Sequence, residues 1–353
     1  MTLNVRTIEF FDREKEKNEI MDILGSEPRL INFIYGPINS GKTALITNLI
    51  ENLPENYIVF YINLRQNPIS TYKDFLEELF DAEFEEVLKE RKIKKAIPDA
   101  IADLKTLFGI PIPSKIFERI FSEEDPKNAF KYLLKIIKET REHNRIPVLI
   151  IDELQTIGDL KVDGNLIYKI FNFFIHLTKE LHICHVFALS SDSLFIERVY
   201  TEAMLQGRAQ YLLVDDFDRK TAEKFLQQHR FNKEETEIAW NFAGGKPGYL
   251  ISLISAKETK KNVRENAAEM IENKKQEIIF LFAENKDKKS EILKILKNFK
   301  HSDEIKFDEN INLEILKFLI KKNILFIDEL KKNIKPQSKL DLAAIREILK
   351  ENK

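Results

Sequence analysis

The chain has 353 residues, 43% of them hydrophobic and 32% charged, which fits a soluble globular protein of two or three domains with a heavily charged surface. The formal net charge of −2 argues against wholesale electrostatic binding to nucleic acid. A single cysteine, Cys184, rules out an intrachain disulfide and points to a reducing compartment; its apolar neighbours predict burial.

At the N-terminus, Glu9, Asp12 and Arg13 interrupt any secretory signal, and no apolar stretch approaches the ~18 residues needed to span a bilayer. A cytoplasmic protein with no membrane partner is expected. Five short apolar runs then read as buried parallel strands: Ile31–Tyr35, Tyr57–Ile62, Val148–Ile151, His185–Leu189 and Tyr211–Val214. Helical patterns separate them, at Thr43–Asn52, Tyr72–Leu79, Pro126–Glu142 and Asn165–Glu180. This alternation predicts an α/β fold, a three-layer core with a five-stranded parallel sheet over residues 1–215. Pro98, Pro111 and Pro113 break Glu83–Phe121 into short helices, read as an insertion beside the sheet.

Beyond Val214 the strand signal stops. Arg219–His229, Lys233–Ala243, Tyr249–Ala256 and a charged helix around Val263–Phe282 predict a helical lid over residues 216–284. The remainder, 285–353, reads as helices at Ser290–Phe299, Asn312–Lys322 and Leu340–Leu349, with Ile324–Asp328 and Ile334–Gln337 pairing as a hairpin. That order is winged-helix-like. From Lys286 on there are 17 basic and 12 acidic residues, so this piece is mildly basic inside an acidic chain.

The sharpest motif is Gly36-Pro37-Ile38-Asn39-Ser40-Gly41-Lys42-Thr43, placed directly after one apolar run and directly before a helix. Its glycines let backbone N–H groups converge on a phosphate, and the following helix offers its positive end. Lys42 is expected to bridge the β- and γ-phosphates of ATP, and Thr43 to ligate magnesium, with Ala44 continuing the cradle. At ordinary residue frequencies the pattern arises by chance in a chain this long about one time in a hundred. The bland reading is a Gly-containing turn.

A second apolar run ends in Asp152-Glu153, which places two carboxylates at the C-terminal edge of the sheet. Asp152 is expected in the magnesium shell. Glu153, the next residue, points the other way and is the candidate general base for an in-line water. The alternative is a pair of solvated strand-end acids.

With these motifs in order, the chain resembles the archaeal ATPase family, AAA-like and STAND-type P-loop proteins with a C-terminal winged helix. The likeness rests on Phe11-Asp12-Arg13-Glu14-Lys15-Glu16, the phosphate loop, Ile151-Asp152-Glu153-Leu154-Gln155, Ser190-Ser191-Asp192, Gly207-Arg208-Ala209 and Gly245-Lys246-Pro247. It implies that Ser190 or Ser191 senses the γ-phosphate, and that Arg208 supplies charge to it in cis or toward a neighbouring subunit, with Arg198 as rival. It also implies that Pro247 touches the base or ribose as the lid closes, that Arg13 and Glu14 flank the adenine, and that Asn63 restrains Glu153. The preference for adenine rests on the family.

The resulting expectation is an ATPase that acts as a switch, with ATP/ADP and an unknown protein partner as ligands, either a monomer or a nucleotide-dependent oligomer. Two alternatives stand beside it: a nucleotide-gated binding module with little turnover, and a DNA-associated ATPase resembling replication-initiation loaders. DNA is not favoured. Lys317, Lys321, Lys322, Lys331, Lys332 and Lys335 are interspersed with Glu314, Asp328 and Glu329, and a solvated lysine-rich face explains them as well.

Overall fold

A computed structural model describes residues 8–84, 86, 95, 97–102, 104–123, 125–162, 164–202, 205–328 and 331–351. The core strands are β1 (Ile31–Tyr35), β2 (Tyr57–Asn63), β4 (Thr106–Phe108), β6 (Ile146–Asp152), β7 (His185–Ser190) and β8 (Ala209–Leu213). They form one parallel sheet in the order β4-β2-β6-β7-β1-β8. Successive residues alternate between two cores, as the two-residue repeat of a strand requires. Phe33, Leu149, Val186 and Ala188 pack into one hydrophobic cluster, while Ile34, Val148, Ile150 and Phe187 pack into the other. A sheet covered on both faces reads as near-continuous apolar sequence, which is why these runs stood out.

Among the described residues the sheet has six strands, and the five-strand expectation is corrected accordingly. The extra edge strand β4 is three residues long, and only Leu107 is buried in it. Such a piece leaves no apolar run to recognise. It arises within the segment read as a helical insertion. The structure also places there β5 (Ile110–Pro111), between the helices Ile97–Ala102 and Ser114–Glu123, which pairs in parallel with β3 (Phe80–Asp81) just before the segment. Residues 85, 87–94, 96 and 103 of that segment lie outside the described residues.

Helix ends follow their caps. Thr71 and Asp74 form a reciprocal capping box at Tyr72–Leu79. Asp125 caps Pro126–Glu142, with proline in the first turn.

Past β8, the helices Arg219–Gln228, Lys233–Ala243 and Pro247–Glu258 surround their own cluster, which includes Phe217, Phe225 and Leu250. The 22-residue helix Val263–Glu284 is about 33 Å long. Its start, at Val263 and Ala267, packs into this cluster, and its end, from Ile271 to Phe282, packs into the C-terminal one. It therefore belongs to both. The C-terminal unit sets helices Lys289–Leu296, Leu313–Lys321 and Lys339–Glu351 around a three-stranded antiparallel sheet, ordered β10 (Leu325–Asp328), β11 (Asn333–Pro336) and β9 (Ile305–Lys306). The hairpin matches the sequence reading; the two-residue β9 was not foreseen. Among the described residues no helix is long and apolar enough to cross a membrane.

Candidate functional site

The loop Gly36–Gly41 leaves β1 and enters α2 (Lys42–Asn52). Gly41 sits at φ 95°, a left-handed conformation that favours glycine, and α2 carries no side-chain cap. The first N–H groups of α2 are thus unclaimed by a capping side chain, the arrangement that suits an anion. Lys42 is buried, and its Nζ donates to the carbonyls of Gly36 at 3.0 Å and Pro37 at 2.9 Å. Burial lowers its pKa to about 8, partly offset by the nearby Glu153 and Asp152 carboxylates.

β1 and β6 end at the same edge of the sheet, separated by β7. Thr43, at the start of α2, therefore faces the last residue of β6. Its Oγ1 donates to Asp152 Oδ2 at 2.8 Å, and Tyr61 of β2 donates to the same oxygen at 2.9 Å. Burial and the Asp152 charge push the Tyr61 hydroxyl's pKa up, keeping it a donor. Asp152 Oδ1 accepts the N–H of Glu153 at 2.9 Å. A hydroxyl and a carboxylate side by side form a hard oxygen donor set of the kind magnesium takes.

Glu153 adopts φ 59°, a left-handed turn unusual for a non-glycine residue, between β6 and the short 3-10 helix Leu154–Ile157. Glu153 Oε2 accepts from Arg65 Nη2 at 3.0 Å and from Gln155 Nε2. Gln155 Oε1 in turn accepts from Ser190 Oγ at 2.8 Å. Ser190, rather than Ser191, is thus the strand-end serine tied to the glutamate. Asn63 does not hold Glu153; its Oδ1 accepts the backbone N–H of Arg65 at 3.0 Å, so it shapes the turn that delivers Arg65. Neither Arg65 nor Tyr61 carries a sequence signal for these contacts. Gln155 stood inside the recognised Ile-Asp-Glu-Leu-Gln run without an assigned role.

A cavity of about 490 Å³ opens beside the loop, walled by Gly41, Thr43 and Ala44 on one side and by Phe11, Phe217 and Pro247 on the other. Arg13 lines it too, but as a staple. Its Nη2 donates to the carbonyls of Ser40 and Asp215, both at 2.7 Å, and its guanidinium lies 4.6 Å from the centroid of the Phe217 ring. Pro247 opens the helix Pro247–Glu258. Just before it, the buried Lys246 donates to Ile38 O at 2.8 Å and pairs with Asp216 at 3.1 Å.

Arg208 is not brought to this site within the chain. Its carbonyl accepts from Ile31 N at 3.0 Å, at the N-terminal edge of the sheet. The loop leaves the other edge five residues away, about 16 Å along the strand. That exceeds an arginine's reach, so the expectation of a role in cis is corrected. Arg198 pairs with Asp159 at 2.7 Å.

Residues 10–253 match the model of an ATPase domain predominantly from Archaea, and residues 264–349 match the C-terminal domain of uncharacterized, MJ1010-like ATP-binding proteins. An uncharacterized ATP-binding protein of Pyrococcus abyssi is 49% identical over 97% of this chain and 99% of its own length. One of Methanocaldococcus jannaschii is 49% identical over 99% of both. Among solved structures, a Walker-type ATPase of Pyrococcus abyssi superposes with a TM-score of 0.66 at 18% identity, covering 97% of each chain. The Aeropyrum pernix ORC2 protein superposes at 0.50 and 11%, over 99% of this chain and 97% of that one. The chain belongs to the predominantly archaeal ATPase-domain family and carries that family's P-loop fold.

Proposed function

We propose that the chain binds ATP with magnesium between its sheet and its lid and hydrolyses it, acting as an AAA-like, STAND-type switch with a winged-helix-like tail. The observation that carries this reading is the 2.8 Å contact between Thr43 Oγ1 and Asp152 Oδ2, with Glu153 next in the chain. The relatives' names as ATP-binding proteins and the largely apolar cavity beside Ala44 support adenine. The proposed units are 1–215, 216–284 and 285–353.

In this reading the amides of Asn39–Ala44 hold the phosphates, and Lys42 moves its ammonium from carbonyls to phosphate oxygens. Thr43 and Asp152 would hold magnesium, which supplies charge neutralisation at the β- and γ-phosphates. Glu153 takes the proton of the attacking water, and the Gln155–Ser190 pair orients its carboxylate. Pro247 closes the cavity. Lys335 pairs with Asp215 at 2.8 Å, so this wing lysine is engaged within the chain itself, which weighs against DNA as the partner. Arg208 is left a role only toward a neighbouring copy.

Arg65 restrains the base in this scheme. Arg65→Ala is expected to raise the basal rate of phosphate release about twofold to fivefold, the worth of one ion pair made by a largely exposed arginine, with little change in nucleotide affinity. A fall in rate would show instead that Arg65 orients Glu153 productively.

Lys42 sets the pH dependence. Below pH 8 its ammonium is present before the nucleotide arrives; above pH 8 binding requires proton uptake. Affinity for a nonhydrolysable ATP analogue is expected to be flat from pH 6.5 to 7.5 and to weaken toward tenfold per unit beyond about 8. A flat profile to pH 9.5 would contradict the lowered pKa. The sign for stability is opposite. With a folded pKa near 8 and an unfolded one of 10.5, burial of Lys42 destabilises below pH 8, and that cost fades as pH rises through the interval.

A further inference from the structure

The C-terminal hairpin reaches the phosphate loop directly. Gln337, buried immediately after β11, accepts the N–H of Ile38 through Oε1 at 3.2 Å, across 299 residues of sequence. Its Nε2 donates to Leu325 O at 3.0 Å, which fixes which end of the amide faces the loop. Ile38 N–H and Pro37 C=O are the two ends of one peptide unit, and Pro37 O is a ligand of the Lys42 ammonium at 2.9 Å. A single peptide thus links the phosphate-seeking lysine to the hairpin. The remaining contacts make the hairpin a lever on this point. Tyr35, the last residue of β1, donates to Asp328 of β10 at 3.0 Å, and Lys335 of β11 pairs with Asp215 just past β8. Phe326 is buried in the main core, and Ser338, beside Gln337, bonds Asp341 in the first turn of the last helix.

Resting on the nucleotide-binding reading above, we propose that Gln337 is a positioning residue of the phosphate loop, through which nucleotide occupancy is transmitted to the C-terminal unit. Lys42 has three donors: two are spent on the carbonyls of Gly36 and Pro37, and the third addresses Ser40 Oγ at 3.5 Å. Bridging two phosphates requires at least one of these to be given up. A cation on the carbonyl end of a peptide polarises it and strengthens the hydrogen bond that its N–H donates. When Lys42 turns to phosphate, the Ile38–Gln337 bond weakens and the hairpin loosens. By reciprocity, removing the acceptor favours the nucleotide-bound loop.

The test uses the full chain and hydrogen–deuterium exchange at Leu325–Asp328 and Asn333–Pro336, with and without a nonhydrolysable ATP analogue and magnesium. Wild type is expected to exchange faster there when the analogue is bound. Gln337→Leu is expected to exchange fast without nucleotide, to lose the response, and to bind the analogue about threefold to tenfold more tightly, the worth of one hydrogen bond. Gln337→Glu keeps the acceptor toward Ile38, and its carboxyl, buried against Leu325 O, is expected to hold a proton and donate there, so this variant is expected to keep the response. The relay is overturned if wild type shows no change on binding, if Gln337→Leu retains the response or binds more weakly, or if both variants behave alike. Failure of wild type to bind the analogue at all overturns the phosphate-site reading, and this inference with it.

Discussion

Glu153→Gln is expected to lower steady-state phosphate release about a hundredfold to ten-thousandfold, while changing nucleotide affinity less than about threefold. The substitution keeps the side chain's length and an oxygen that Arg65 and Gln155 can still address, so the network around it retains its shape. What it removes is the capacity to accept a proton. The drop should therefore fall on kcat with KM nearly unchanged, the pattern of an interaction made in the transition state. Undiminished turnover would sink the general-base assignment and leave the chain as a nucleotide-gated binding module.

Gly245→Ala is expected to be the most damaging single-methyl change. A Cβ at this position would lie 1.8 Å from Phe217 O and 2.7 Å from Phe217 C. Both neighbours are backbone, and they are already locked together, since Phe217 N–H donates to Gly245 O at 2.9 Å. No rotamer change relieves such a clash. The strand-to-lid connection must open instead, displacing Lys246 from Ile38 and Pro247 from the cavity wall. Insertion into a packed site usually costs ~1–3 kcal/mol, and a backbone collision belongs at or above the top of that range. Urea unfolding should show a stability lowered by that amount, read as the midpoint shift multiplied by the denaturant slope, and nucleotide affinity should fall at least about tenfold. An unchanged midpoint would mean that the two segments do not cross so closely.

Legibility in the sequence tracked how local the determining physics is. Tyr72–Leu79 and Pro126–Glu142 were readable to the residue because Thr71 and Asp125 cap them locally. The phosphate loop was readable because glycine, lysine and threonine are needed at fixed offsets on one turn. β4 was not, since a three-residue edge strand is defined by pairing with Tyr61 and its neighbours rather than by its own pattern. Arg65 and Gln337 were invisible for the same reason: each acts across a fold-level contact with a residue far away in the chain. Arg208 is a different case. In a parallel sheet, a residue that precedes a strand lies at the edge opposite one that follows a strand, so strand direction alone separates Arg208 from Gly36. The motif's position in the family outweighed that topological argument. Arg13 lines the cavity, and its hydrogen bonds to the Ser40 and Asp215 carbonyls make it a brace between the loop and the segment after β8.

The central claim is that Thr43, Asp152 and Glu153 form a metal-dependent hydrolytic site around the nucleotide held by Gly36–Thr43. The most direct test is release of inorganic phosphate from ATP by the purified full chain, measured over many equivalents with magnesium present and again with the metal chelated. The account predicts sustained turnover with magnesium and none without it. Turnover that persists under chelation, or no release when magnesium is supplied, would contradict it.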